Sequence, residues 1–337
     1  MRKTILLVTT LLYALQIHAQ DSTNFPTLGK IKQHHRDLEK LIDVDTPIEV
    51  ITSGFTWSEG PAWNKEGQFL VFSEIPSNTV MKWVEGEGVS KWFSPSGYTG
   101  LTDYGQEPGS NGLMFDPDGQ LISCEHGDRR LSIMIKDGGK KTLADNYNGK
   151  RFNSPNDVTR APNGNLYFTD PPYGLPDRFE DPRRDMDYCG VYLLRPSGEV
   201  ILLTKEIERP NGIGLSPDGT TLYVAQSHPD QPTITSFPIK SDGTVGDGTL
   251  FYDASPQQGP GIKGNPDGLK VDEHGNLWAS GPGGILILNA KGKLLGHIQT
   301  GEATSNCAFG GPDGSQLYIT ADTYILRVQT KVKGLGF

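Results

Sequence analysis

The chain has 337 residues and a formal net charge of -9. An acidic chain without a basic run repels phosphate backbones, which excludes nucleic-acid binding as its main function. A hydrophobic fraction of 35% with 42 Gly and 24 Pro describes many short elements joined by tight turns, the composition of an all-β fold.

In chain order the first element is "MRKTILLVTTLLYALQIHAQ". Arg2 and Lys3 precede an apolar run from Ile5 to Leu15, and Ala19 stands at a cleavage position. The run is too short to span a bilayer, so residues 1–20 read as a secretory signal peptide. That reading predicts export to the periplasm or the extracellular space, with no stable membrane span after cleavage. Residues 21–46 form a leader. Within it "IKQHHRDLEKLI" places Ile31, Leu38, Leu41 and Ile42 on roughly one side of a helix, which predicts a short surface helix with solvated His34 and His35.

From residue 47 to 337 the pattern is β. "PIEVITSGF" reads as a lone strand, and six copies of one unit follow it. They are "EGPAWNKEGQFLVFSE", "NGLMFDPDGQLISCEH", "NDVTRAPNGNLYFTD", "NGIGLSPDGTTLYVAQ", "DGLKVDEHGNLWAS" and "NCAFGGPDGSQLYITAD". Each is a strand, a turn and a second strand, with turn glycines at Gly67, Gly119, Gly164, Gly219, Gly275 and Gly314. The copies start 39 to 56 residues apart, a period that suits the four-stranded blade of a β-propeller. "GVYLLRPSG", "EVILLTK" and "GILILNAKGKLLGHI" supply further strands in the gaps. The last copy has room for only two or three strands. The 47–55 strand is therefore expected to complete the sixth blade and close the ring, leaving no sheet end unpaired. The predicted fold is a single six-bladed β-propeller over 47–337.

Eight residues before each turn glycine stand Glu59, Asn111, Asn156, Asn211, Asp267 and Asn306. Inner strands of a propeller start at one mouth of the central channel, so these six would form a ring of oxygen acceptors. Asn and Asp suit strand starts through local hydrogen bonds, but that explains one position and not the recurrence. Two buried carboxylates need a positive partner. All-oxygen ligation suits one divalent cation, Ca²⁺ first and Mg²⁺, Mn²⁺ or Zn²⁺ after it, while the absence of His and Cys from the ring argues against a structural zinc. The second strands return to the same mouth. Their ends would place His126, Asp170, Tyr173 and His228 on its rim, with Arg129 and Arg130 close behind. Cys124, Cys189 and Cys307 show no metal spacing. Cys124 and Cys307 read as core residues, and the compartment allows one disulfide.

The motifs "SEGPAW", "RFNSPNDV", "RPNGIGLSPDG", "PDGLKVDEHGNLWA" and "TSNCAFGG" resemble the regucalcin/gluconolactonase family of calcium-dependent lactonases from about Pro47 to near the C-terminus. The resemblance implies a six-bladed propeller with one metal in the channel. Its ligands would be Glu59, Asn211 and Asp267, with Asn156 either coordinating directly or binding substrate through water. It also implies a substrate contact from Arg151, in the "RFN" motif. Asn111 and Asn156 in the ring and Asp170, Tyr173 and His228 on the rim are the other candidate substrate contacts. The expected reaction is hydrolysis of a small sugar lactone to the aldonic acid, with Asp267 as general base and His126 as the alternative base. Related diisopropyl fluorophosphatases share the ring, so a phosphotriesterase is the rival enzyme. A non-catalytic binding propeller riveted by its metal is the rival of another class.

Overall fold

The computed structural model describes residues 25–135 and 138–336. The signal-peptide reading of residues 1–20 lies outside them. Six antiparallel sheets surround one axis, and the chain is an all-β, six-bladed propeller. The first sheet shows how each is built. Ser58–Asn64 is innermost, followed outward by Phe69–Glu74, Thr79–Val84 and Gly88–Phe93. The other innermost strands are Ser110–Phe115, Val158–Arg160, Pro210–Leu215, Leu269–Val271 and Thr304–Gly310, and they pack side by side around the channel.

The hairpins form where the turn residues place them. Gly119, Gly164, Gly219, Gly275 and Gly314 all have positive φ, the left-handed conformation a tight turn needs. Asp116 Oδ1 accepts the N–H groups of Asp118 and Gln120, which ties its turn to its own side chain. The first hairpin differs, because the left-handed residue there is Gln68 rather than Gly67.

Apolar side chains that alternate along each strand meet those of the next blade. Trp278, Ile285, Ile287, Ile319 and Leu326 make one such inter-blade core, and Phe72, Trp83, Tyr318 and Ile325 another. Cys124, Cys189 and Cys307 are buried and free, so no disulfide forms among them. Cys307 donates its thiol to the Trp278 carbonyl at 3.2 Å. Among the described residues no helix is long and apolar enough to cross a membrane.

The sheet holding Thr304–Gly310, Gln316–Ala321 and Tyr324–Gln329 takes Glu49–Ser53 as its fourth strand, paired antiparallel to Tyr324–Gln329. The 31–42 stretch departs from its helical pattern. Lys30–Gln33 is a strand added to the outer edge of the fifth sheet, opposite Gly296 to Gln299. Only Arg36–Lys40 turns, as a single 3₁₀ segment in which the His35 side chain accepts the Asp37 N–H. The apolar spacing still marks burial, because Leu38, Leu41 and Ile42 sit in the Trp278 cluster. Truncating Leu38, which is completely buried, should cost about 2–5 kcal/mol. Urea unfolding of Leu38→Ala measures this, and an undocked surface helix would leave the midpoint unmoved.

Candidate active site

The starts of the inner strands approach one another very closely. Gly112 N–H donates to the Asn156 carbonyl at 2.7 Å, Gly212 N–H to the Asp267 carbonyl at 3.1 Å, and Gly268 N–H to the Ser305 carbonyl at 2.7 Å. A Cβ on Gly60 would lie 2.0 Å from the Asn111 carbonyl oxygen, and one on Gly212 would lie 2.1 Å from that of Asp267. No side chain fits there, which explains why Glu59, Asn111, Asn211 and Asp267 are each followed by glycine. Four of the inner strands also shift register at the ring position, between Glu59 and Ala62, Ser110 and Leu113, Pro210 and Ile213, and Thr304 and Asn306. Such irregularities bend a strand and re-aim its side chains.

Glu59, Asn111, Asn156, Asn211 and Asp267 thereby line one cavity of about 360 Å³. Asn306 lies beside it, where Nδ2 donates to Glu59 Oε2 at 3.3 Å. Glu59 Oε2 also accepts the Gly60 N–H at 2.8 Å. Asn211 gives its Nδ2 to Ser227 Oγ at 2.8 Å. That leaves Asn211 Oδ1 without a donor, and Asn111 Oδ1 and Asp267 Oδ1 are buried without one as well. Burial raises the Glu59 carboxyl to about 8, with Asp157 adding to the rise. Burial also pushes Asp267 well above its ordinary range, and Glu59, Asp157 and Glu107 add to that shift. Among the described residues no three His, Cys, Asp or Glu side chains form a metal-holding group on their own. A cation here would draw on amide oxygens together with Glu59 and Asp267. Unsatisfied amide and carboxylate oxygens around a negative cavity are the donor chemistry of a hard divalent ion.

The rim differs from the sequence reading in four places, and Tyr173 alone of its expected residues lines the cavity. Asp170 is fully buried and accepts the N–H groups of Asn153 and Ser154, each at 2.8 Å. It shapes the 152–157 loop that carries Asn156 and does not line the cavity. Arg151 is exposed, its Nη2 donating to the Asp128 carbonyl at 2.8 Å, and it does not line the cavity. His228 also lies off the wall, with Nδ1 accepting the Asp230 N–H at 3.1 Å. His126 is fully buried behind Glu107, its Nδ1 3.5 Å from Glu107 Oε2. Each of these residues ends or precedes a strand at the correct mouth, but strand position does not say which way a side chain turns. Arg129 and Arg130 are structural. Arg129 Nε donates to the Phe152 carbonyl at 2.7 Å, and Arg130 Nε pairs with Glu125 at 2.7 Å.

Sequence reasoning missed Trp57, Glu107, Arg178, Ser227, Asn265 and Thr304, which also line the cavity. Glu107 and Arg178 come from the long insertions 94–109 and 171–189 and meet at 3.2 Å. Charged residues in long insertions flanking a mouth were the available signal. A larger cavity of about 620 Å³ opens at the other end of the inner strands, among Trp63, Phe115, Arg160 and Leu335. It contains none of the ring residues.

The family model described as SMP-30/Gluconolactonase/LRE-like region matches residues 57–323. The chain belongs to this family. It is 43% identical over 324 residues to a gluconolactonase of Zymomonas mobilis, covering 94% of this chain and 90% of that one. It is 27% identical to pentonolactonase XacC of Haloferax volcanii, covering 82% and 84%. Among solved structures, a Xanthomonas campestris gluconolactonase superposes with a TM-score of 0.76 at 32% identity, covering 90% of this chain and 97% of that one.

The buried His126 gives stability a pH dependence. Burial holds its imidazole down at about 3, against 6.5 when free. The group is neutral in the fold, so its contribution is complete above pH 6.5 and is lost as pH falls from 6.5 toward 3. The unfolding free energy should drop by about 1.4 kcal/mol per pH unit within that window from this residue. Urea titrations between about pH 4 and pH 7 should show a shallower slope for His126→Asn than for the unmodified chain.

Proposed function

We propose that this chain hydrolyses a small sugar lactone to the open aldonic acid. The observation that carries this reading is the convergence of Glu59, Asn111, Asn156, Asn211 and Asp267 on one cavity in a chain 43% identical to a gluconolactonase. Lactonase names on both curated relatives favour it over a phosphotriesterase or a riveted binding propeller. We read the location as exported, on the strength of the 1–20 segment.

The lining suits a polyhydroxylated ring. Asn111, Asn156 and Asn265 offer amide groups that can pair with sugar hydroxyls in either direction, and Ser227 and Thr304 add hydroxyl oxygens that can accept. Glu59, Asn211 and Asp267 would hold one divalent cation, Ca²⁺ for preference, with Asn156 completing the set or holding substrate. When bound, that cation supplies Lewis-acid polarisation of the lactone carbonyl and stabilisation of the developing oxyanion. Asp267 takes the proton of the attacking water. Its Oδ1 has no competing hydrogen-bond donor, and burial raises its affinity for a proton. Tyr173, packed edge to face against Phe179 at 6.1 Å, forms a wall that orients the sugar.

Proton release on a panel of lactones tests the assignment. Gluconolactone turnover should vanish with a chelator and return on adding Ca²⁺, while far-UV circular dichroism keeps its β signature throughout. Collapse of that signature on chelation would make the ion a rivet instead. Asp267→Asn, with cation binding verified, should lower kcat by about 10²–10⁴-fold. Near-normal turnover in that variant would remove Asp267 from the role of base.

A further inference from the structure

Opening a lactone moves two protons. Water loses one as it adds to the carbonyl, and the ring oxygen gains one as its bond to carbon breaks. A sugar alkoxide is a poor leaving group, so a positioned acid is worth a large factor in rate. Asp267 serves the first transfer. For the second, the acids that line the cavity outside the ring are Glu107 and Tyr173.

Glu107 is held from several sides. His126 N–H donates to the Gly109 carbonyl at 3.2 Å, Gly127 N–H to the Pro108 carbonyl at 3.2 Å, and Gly109 N–H to the Ile75 carbonyl at 3.1 Å. These bonds fix the backbone just beyond the glutamate. Its Oε1 lies 3.2 Å from Arg178 Nη2 and its Oε2 lies 3.5 Å from His126 Nδ1. His126 is fully buried, and neither ring nitrogen has a hydrogen-bond partner elsewhere. The imidazole is therefore free to carry its proton on Nδ1, toward Glu107. Glu107 is close enough to Glu59 and Asp267 to act on both electrostatically. The three carboxylates nevertheless do not form one ligand cluster.

We propose that Glu107 is the general acid of ring opening, with Arg178 and His126 as positioning residues that stabilise the carboxylate it leaves. The inference rests on the lactonase reading. In the step, the water oxygen bonds to the carbonyl carbon and its proton passes to Asp267. The bond from carbon to the ring oxygen breaks, the electron pair stays on that oxygen, and the Glu107 proton joins it. Asp267 then holds one proton and Glu107 lacks one, and exchange with solvent restores both. One water is consumed and nothing else. Burial pushes the Glu107 carboxyl above its ordinary range while Arg178 pulls it back, a balance suited to both holding and releasing a proton. Burial raises the Tyr173 phenol far out of that range.

The test uses leaving-group dependence. Glu107→Gln keeps the size of the side chain and removes the acid. With the cation present, the unmodified chain and the variant are assayed on gluconolactone, whose leaving oxygen is an alkoxide, and on dihydrocoumarin, whose phenoxide leaves without help. The variant should lose about 10²–10⁴-fold in kcat on gluconolactone and less than about tenfold on dihydrocoumarin, with its thermal transition unchanged. Equal losses on both substrates, or no loss on gluconolactone, overturn the proposal, as does the same split in Tyr173→Phe with Glu107→Gln unaffected. If the amide variant fails to fold, Glu107→Ala with added acetate replaces it, where recovery of the gluconolactone rate supports the acid and no recovery overturns it. An unmodified chain inactive on every lactone would sink the lactonase reading and this proposal together. An active chain indifferent to Glu107→Gln sinks this proposal alone.

Discussion

Close approach of backbone at the starts of the inner strands governs the rest of this molecule. Gly60, Gly112, Gly212 and Gly268 sit where an added Cβ would meet a neighbouring blade at under 3.0 Å. With glycine there, N–H groups of one blade reach carbonyls of the next. That contact draws the blades in and leaves the side chain just before each glycine facing the axis. The ring is thus a consequence of steric closeness. Any residue before those glycines would point at its counterparts, and this chain places an oxygen-bearing side chain at all four, Glu59, Asn111, Asn211 and Asp267.

The arrangement is electrostatically expensive. An ion moved from water into a protein interior loses several kcal/mol even after relaxation, and Glu59 and Asp267 share one cavity. Hydrogen bonds offset part of this, from Gly60 N–H and Asn306 Nδ2 to Glu59. Deeper in the channel, Lys270 Nζ lies 3.9 Å from Asp157 Oδ2 and within 3.4 Å of Asn306 Oδ1. That one ammonium beneath the ring moderates the field but does not reach the oxygens of Asp267, Asn111 and Asn211 that lack donors. The site remains poised toward a positive ligand at its mouth.

What could be read in the sequence follows from the same constraint. The ring repeats at one register in six copies, so Glu59, Asn111, Asn156, Asn211 and Asp267 were identifiable by counting back from a turn glycine. Cys124 and Cys307 were legible as core residues from the apolar strands around them. The rim was not legible, because orientation there is set by partners distant in sequence. Asp170 turns inward to accept the N–H groups of Asn153 and Ser154, and Arg151 turns outward to the Asp128 carbonyl. The leader misled for another reason. Helix and edge strand both bury one apolar face, and the Lys30–Gln33 segment resolves the ambiguity by pairing with the Leu294–Gln299 strand rather than through its own periodicity.

This division separates what the repeat supplies from what the insertions supply. A sixfold repeat can present equivalent acceptors around an axis, which suffices to hold a cation and one face of a substrate. It cannot break its own symmetry. Asymmetry comes from the 94–109 and 171–189 insertions, which bring Glu107, Arg178 and Tyr173 to one side of the cavity. The Tyr98 ring packs at a tilt against Tyr104, 4.6 Å between centroids, and Arg183 lies 5.3 Å from the Tyr104 ring centre, so the two insertions brace each other. A lactone has two distinct oxygens at its reacting carbon, and a symmetric ring would not distinguish them. A braced wall on one side gives the cavity the direction that such a substrate requires.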